Sequence, residues 1–370
     1  MKKLIAMALA ASMMVTVAAC GSKGNDSSAS ASAGADAGTE TPAADSGAEE
    51  TEETVAPAAD AVKLNLSVPD AESSSIAVAA KEFAKQLNEK SEGRLDVTVY
   101  CDGSLYGGDA TAAVTTMQDG GLDMLCLATS WYASFDDSFN VIQVPYLFDS
   151  VDEEQAYLND EASKPMWDAV EGMGVKFLAA WTRSFRMTTN NTRPITTPED
   201  LKGIKLRTPG NQIYQVFFGD GCGANVTPMS FSEVYTALQT NTIDGQENPA
   251  DVPFSSSFFE VQKYISATNH IGEAWVVGMN PDKFASLDAD LQTLITDTAQ
   301  EMQTWKKEYD EKTDQEDIDF MVEKGMEYNE LDEAGIEAFK QVSESLYPKF
   351  QEIVNNPELW DATIAFAESH

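Results

Sequence analysis

"IKLRTPGNQIYQVFFGDGCGANVTPMSFSEVYTALQTNTIDGQENP", residues 204–249, decides how the chain is read. Its first residues alternate, Ile204 and Leu206 on one face and Lys205 and Arg207 on the other, the period of a half-buried strand. Pro209–Gly210 stops that strand. Residues 211–221 read as a helix, 224–229 as a second strand, and 230–241 as a second helix that Ser230 or Ser232 can cap. The stretch ends in Asp244, Gly245, Gln246, Glu247 and Asn248 before Pro249, two carboxylates and two amides at the mouth of a third strand. Alternating strands and helices make a parallel sheet covered by helices. In such sheets ligands sit beyond the carboxyl ends of the strands, where Arg207 and the 244–248 cluster lie.

The same pattern occurs upstream. Residues 62–68 and 94–100 alternate as strands, 75–93 and 108–121 read as helices, and 122–128 is a short apolar strand, so the order is β-α-β-α-β. The pattern restarts with helix up to Gly174 and strands at 175–181, 185–191 and 263–270. From 288 to 325 no proline or glycine interrupts a helical stretch until Gly325, which predicts a helix long enough to span two α/β lobes. The last 45 residues read as helices packed on the outside. The expected division is 62–184 with 272–312 as one lobe and 185–271 with 313–370 as the other, with a cleft between.

The first 20 residues, "MKKLIAMALAASMMVTVAAC", have the layout of a secretory signal peptide. Their apolar run of about 16 residues is shorter than the roughly 20 that a membrane span needs. The ending "AACGS" resembles a lipobox, which implies Cys20 as a diacylated first residue; ordinary cleavage without lipid is the other reading. Residues 21–61 are mostly Gly, Ala, Ser, Thr and acid, with one valine and no aromatic, the composition of a flexible linker. A lipid tether suits an envelope without an outer membrane, so a Gram-positive cell surface is expected, with the periplasm as the alternative.

The formal charge of −37 argues against nucleic acid and anionic membrane surfaces as partners. It does not exclude an anionic ligand, because screening over about 8 Å leaves the decision to local arginines. Cys101, Cys126 and Cys222 are an odd number without CxxC spacing and read as free thiols. With only His270 and His370, a His-rich metal site is excluded and a Ser-His-Asp triad could use only His270. There is no GxSxG elbow and no nucleotide-binding glycine motif, so neither a hydrolase nor a cofactor is implied.

Arg207, at a strand end made rigid by Pro209, is suited to clamp a carboxylate through two parallel bonds or to form an interdomain salt bridge. Arg186 lies near Arg183, and two arginines so close repel unless a ligand anion or a carboxylate lies between them. Asn248 offers a donor and an acceptor for a ligand, or a local turn. Phe231, Tyr235, Trp131, Tyr132 and Trp181 are core residues or ligand walls.

"TPEDLKGIKLRTP", "GANVTPMSFSEVYTALQT", "IDGQENP" and "EVQKYISATNH", with "VPYLF" and "GGLDM" upstream, occur in one order. Together they resemble the DctP-type solute-binding subunits of TRAP (tripartite ATP-independent) transporters over most of 62–345. The resemblance implies a two-lobed α/β fold, periplasmic-binding-protein-like and of type II character, with a long helix spanning both lobes. It implies a binding protein, not an enzyme, that closes on an organic acid and hands it to small and large membrane-embedded subunits. It makes Arg207 the carboxylate clamp, Arg186 a second arginine near that carboxylate, Asn248 a polar contact and Phe231 the aromatic packed on the ligand. Asn211 stands beside Gly210, where some relatives carry a polar residue, and is expected to substitute for it. Residues 125–132 are apolar apart from Thr129 and Ser130 and add Trp131, which points away from sialic acid and toward a C4-dicarboxylate or sugar acid. An ABC-type binding lipoprotein or a ligand-sensing partner of a membrane receptor is the alternative.

Overall fold

The computed structural model describes residues 56–370. The signal peptide, Cys20 and residues 21–55 lie outside the described residues. Among the described residues the strands form two sheets. The first has the order β2-β1-β3-β10-β4, built from β1 (Val62–Ser67), β2 (Leu95–Tyr100), β3 (Met124–Ala128), β4 (Lys176–Arg183) and β10 (Glu273–Met279). The second has the order β11-β9-β5-β8-β6-β7, from β5 (Met187–Asn190), β6 (Lys205–Thr208), β7 (Asn225–Pro228), β8 (Gly245–Asn248), β9 (Tyr264–Ala267) and β11 (Glu327–Glu330).

The sheets are mixed, not wholly parallel as the alternation of strands and helices suggests. β1 pairs in parallel with β2 and β3, but β10 enters antiparallel between β3 and β4. In the second sheet β6 is parallel to β7 and β8, while β5 runs antiparallel to β8 and β9. The chain crosses between the sheets from β4 to β5 and back from β9 to β10. The two crossings are tied side by side, the Arg186 N–H donating to the Ile271 carbonyl at 2.9 Å and the His270 N–H to the Arg186 carbonyl at 3.2 Å.

Local chemistry sets the helices. Helix Ser75–Lys90 starts where the Ser74 hydroxyl accepts from the Ala77 N–H at 3.2 Å, an N-cap. It buries Ile76, Ala80, Phe83 and Leu87 against the first sheet. Each large apolar side chain removed from water there contributes about 1.5–3 kcal/mol. The 35-residue helix Ala289–Glu323 lays Leu291, Ile295, Ala299 and Met302 on the first core, and Ile318 and Met321 on Ile265 and Ala267 of the second sheet. One helix therefore serves both lobes. The last two helices, Tyr347–Val354 and Pro357–Ser369, pack mainly on elements that precede β4, with a smaller contact to Gln212–Tyr214 and with the Tyr157 and Thr363 hydroxyls bonded at 2.6 Å. Residues 347–370 thus lie with the first sheet's side of the chain, where their apolar faces meet the 137–158 elements.

The decisive stretch folds with local differences. The expected helix at 211–221 is a short turn, Gln212–Tyr214, running into a π-helix, Gln215–Gly221. The helix at 230–241 is a 3₁₀ turn, Phe231–Glu233, followed by Val234–Gln239, and neither Ser230 nor Ser232 makes a side-chain cap. Cys101, Cys126 and Cys222 are free thiols.

Candidate functional site

Where the two sheets face each other, an open cavity of about 340 Å³ is lined by residues from both. β4 ends at Arg183, Arg186 precedes β5 by one residue, β10 opens with Glu273, β8 closes with Asn248, and β6 supplies Arg207. Their charged ends meet because these strand ends converge on the double crossing.

Arg183 and Arg186 are buried, and both are held by carboxylates. Arg183 donates Nε to Asp251 Oδ1 at 2.9 Å and Nη2 to Asp251 Oδ2. Its Nη1 reaches Asp70 at 3.0 Å and Glu273 Oε2 at 3.2 Å. Arg186 donates Nε to Glu247 Oε2 at 2.6 Å, Nη2 to the Asn248 carbonyl oxygen Oδ1 at 2.8 Å, and Nη1 to Glu273 Oε1. The group between the two arginines is the Glu273 carboxylate. Burial works against both guanidinium charges, but their carboxylates outweigh it and hold both arginines above the usual range. Burial also pushes Asp70 up, to about 6, against the pull of Arg183. Glu247 and Asp251 are likewise raised by burial, yet Arg186 and Arg183 with their hydrogen bonds bring both below the usual carboxylate range.

Arg207 is different. It is 2 % exposed and lines the cavity, and its side chain donates only to the Met229 carbonyl, from Nε at 3.1 Å and Nη2 at 2.9 Å. No carboxylate among the described residues pairs with it. Burial lowers its pKa to about 10; the Glu247 charge opposes that and Arg186 adds to it. Its guanidinium carbon stands 6.0 Å from the Phe231 ring centroid, a cation–π distance. An unpaired buried cation at the wall of a cavity is a place where an anion recovers the desolvation already spent.

The structure brings Arg207, Arg186, Asn248, Phe231 and Trp131 to one cavity. Asn211 is not among the lining residues. Its Oδ1 accepts from the Ile213 N–H at 2.7 Å as a helix cap, and its Nδ2 donates to Asn140 at 2.8 Å, so both ends of the amide are engaged away from the cavity. Asn248 spends both ends of its amide, on Arg186 and on Gln246. Gln246 and Glu247 turn away from the cavity, Gln246 to Thr189 at 2.9 Å and Glu247 to Arg186 and His270. Residues 245–248 are thus a buried strand with only its last side chain at the cavity. His270 is buried between Thr268 and Glu247, and burial lowers its pKa.

Sequence reading missed Asp70, Glu273 and Trp275 as lining residues. Asp70 had a signal: in "SVPDAE" it follows a proline at the carboxyl end of β1. Glu273 is the one acid opening an apolar run, "EAWVVGM".

A two-lobed α/β protein with a polar, arginine-bearing cleft belongs to the class of solute-binding proteins, and comparison makes this specific. The bacterial extracellular solute-binding protein family 7 (DctP) matches residues 67–353, and the chain belongs to that family, the solute-binding proteins of TRAP transporters. These act outside the cytoplasm and are not enzymes. The chain is 35% identical over 254 residues to the 2,3-diketo-L-gulonate-binding periplasmic protein of Escherichia coli, covering 68% of this chain and 75% of that one. It is 27% identical over 260 residues to the C4-dicarboxylate-binding protein of Bacillus subtilis, covering 70% and 73%. The crystal structure of the sugar acid binding protein of Advenella mimigardefordensis in complex with galactonate superposes with a TM-score of 0.79 at 26% identity, over 84% of this chain and 99% of that one.

Proposed function

We propose that this chain captures a small organic acid, a C4-dicarboxylate or a sugar acid, by placing the ligand carboxylate on Arg207. Phe231 and Trp131 form apolar walls, Asn248 is a polar contact, and Arg186 is the second arginine near the carboxylate. The two lobes, one built on each sheet, close on the ligand, driven by contacts made only in the closed state. The loaded protein then delivers the acid to small and large membrane subunits. Cys20 is the proposed lipid anchor, holding the chain at the outer face of a Gram-positive membrane. The intact mass of the mature protein reads that anchor, and a mass without a diacylglyceryl group would remove it.

The observation that carries the reading is Arg207: buried, without a carboxylate partner among the described residues, and at the cavity wall. The names of the relatives support the ligand class, since the proteins they describe bind diketogulonate, C4-dicarboxylates and galactonate.

The test is a thermal-shift screen of residues 62–370, stripped of ligand by unfolding and refolding, against dicarboxylates, hexuronates, aldonates, keto acids and neutral sugars. Ligand at about 1,000 times its Kd stabilises by about 4 kcal/mol, several degrees in Tm for a body of this size. The expected result is a hit among the acids that Arg207→Ala abolishes. A response to neutral sugars alone, or one unchanged in Arg207→Ala, refutes the clamp.

A further inference from the structure

Among the described residues, Arg183, Arg186 and Arg207 supply all the cationic side chains that line the cavity, and no lysine does. Two of the three are already neutralised. Asp251, Asp70 and Glu273 hold Arg183, and Glu247 and Glu273 hold Arg186. The site therefore has one uncompensated positive charge. The wall that the first lobe contributes carries the opposite character. Asp70 is 8 % exposed there and gives Oδ2 to Arg183, while its Oδ1 has no partner among the described residues. Asp102 and Asp109 stand exposed at the mouth of the same wall.

We infer that the cavity selects a monocarboxylate with a hydroxylated tail, Arg207 taking the carboxylate and Asp70 Oδ1 accepting from a tail hydroxyl, and rejects an acid with a second carboxylate at the far end. The inference rests on the Arg207 reading above and narrows its two ligand classes to the sugar acids. A hydroxyl can donate to a carboxylate, and a charge-assisted bond of that kind is stronger than a neutral one. A second carboxylate cannot donate. It would face Asp70 in a partly desolvated space where no free cation remains, and an ionised group left buried and unpaired is costly.

Acid pairs that share a carbon skeleton and hydroxyl stereochemistry, and differ only at the terminal carbon, isolate this effect. Gluconate against glucarate and galactonate against galactarate are such pairs. Titration calorimetry on the ligand-stripped protein measures both members of each pair. The expected affinity ratio favours the monoacid by about 100-fold, the size of an unpaired charged group. Asp70→Asn keeps the shape, lets an amide donate to the second carboxylate, and leaves Arg183 with Asp251 and Glu273. It is expected to narrow the ratio at least about tenfold, mainly through tighter diacid binding. Arg207→Ala is expected to abolish binding of both members. A ratio near one, a ratio unchanged by Asp70→Asn, or no monoacid binding in either pair overturns the inference. If Arg207→Ala still abolishes acid binding, the clamp survives that failure. Acid binding that persists in Arg207→Ala overturns both.

Discussion

Glu273→Gln tests the shared counterion directly. The Glu273 carboxylate accepts from Arg186 through Oε1, and from Arg183 at 3.2 Å and the Trp275 indole N–H at 3.1 Å through Oε2. Glutamine keeps the volume but not the charge. Its carbonyl can serve one side of the bridge, and its amide N–H₂ then meets a donor on the other. Two unit charges about 4 Å apart attract by about 4 kcal/mol at an effective dielectric of 20, and Glu273 makes two such contacts. That gross figure overstates the loss, because the neutral amide is cheaper to bury and because Asp70, Asp251 and Glu247 still hold the arginines. Removing one partner of a buried ion pair costs about 3–5 kcal/mol, and the remaining carboxylates place this case at the lower end, about 3 kcal/mol. With the usual per-residue unfolding entropy, that is about 5 °C in Tm for a body of this size. The assay is thermal and urea unfolding of the ligand-free variant at pH 7.5, read by tryptophan fluorescence. The same variant frees positive charge at the cavity, so its affinity for a diacid is expected to rise relative to the monoacid. A Tm within about 1 °C of the parent would refute the claim that Glu273 holds the two arginines together, since the smallest cost in the argument exceeds that shift.

Two further perturbations follow from the half-buried Asp314 and the buried Glu154, both away from the cavity. Burial raises Asp314 to about 7, with Asp310 and Asp251 adding to the rise and the Ser184 hydroxyl and Lys306 opposing it. Between its unfolded value near 3.8 and about 7 the native state keeps a proton that the unfolded chain has released, so this group lowers stability as pH rises and the loss is complete above about 7. Asp314→Asn is expected to flatten the fall in unfolding free energy between pH 5 and 8, by about 3 kcal/mol at most. Denaturant titrations across that range with the same slope in both proteins would rule this out. Separately, the buried Glu154 carboxyl has no hydrogen-bond partner for either oxygen among the described residues, and a Cβ on Gly272 would overlap it. Gly272→Ala is expected to cost about 1–3 kcal/mol as an overpacked site, and Glu154→Ala to recover most of it in the double variant. A double-mutant cycle with no coupling would show that the strain goes elsewhere.

Much of this architecture is written in local pattern. β1 and β2 show their alternation because one face is buried, and the 35-residue helix shows itself because nothing interrupts it before Gly325. β10 escaped because every residue of "EAWVVGM" is buried, so no period marks it, and because it pairs antiparallel with strands far away in sequence. β11, "EYNE", has no apolar signal and is held by parallel pairing to β9. In the site, Arg207 was legible because alternation and Pro209 fix where it points. What Arg186 binds was not. Its partner Glu273 lies 87 residues away, and Arg183 finds Asp70 and Asp251 at separations of 113 and 68. Those contacts exist only once the two crossings lie side by side.

The difference between the three arginines follows from where their strands end. Arg183 and Arg186 flank the crossing from β4 to β5, and their carboxylates come from both lobes. Asp251 shows the consequence, because it binds Arg183 and also accepts from the Ser75 N–H at 3.0 Å at the start of a first-lobe helix. Charges placed there set the register between the lobes. A well-packed apolar junction of similar volume can match such a network in stability, but an apolar seam that opened with the cleft would expose its surface to water on each cycle, at about 25 cal/mol per Å². Polar groups exchange their partners for water at smaller net cost. Arg207 lies in β6, one strand beyond β8 and away from the crossings, where no carboxylate of the described chain reaches it. The fold thus pairs two arginines with carboxylates of both lobes and leaves the third without one, and a chain with a formal charge of −37 retains a short-range attraction for an anion at one wall of its cleft.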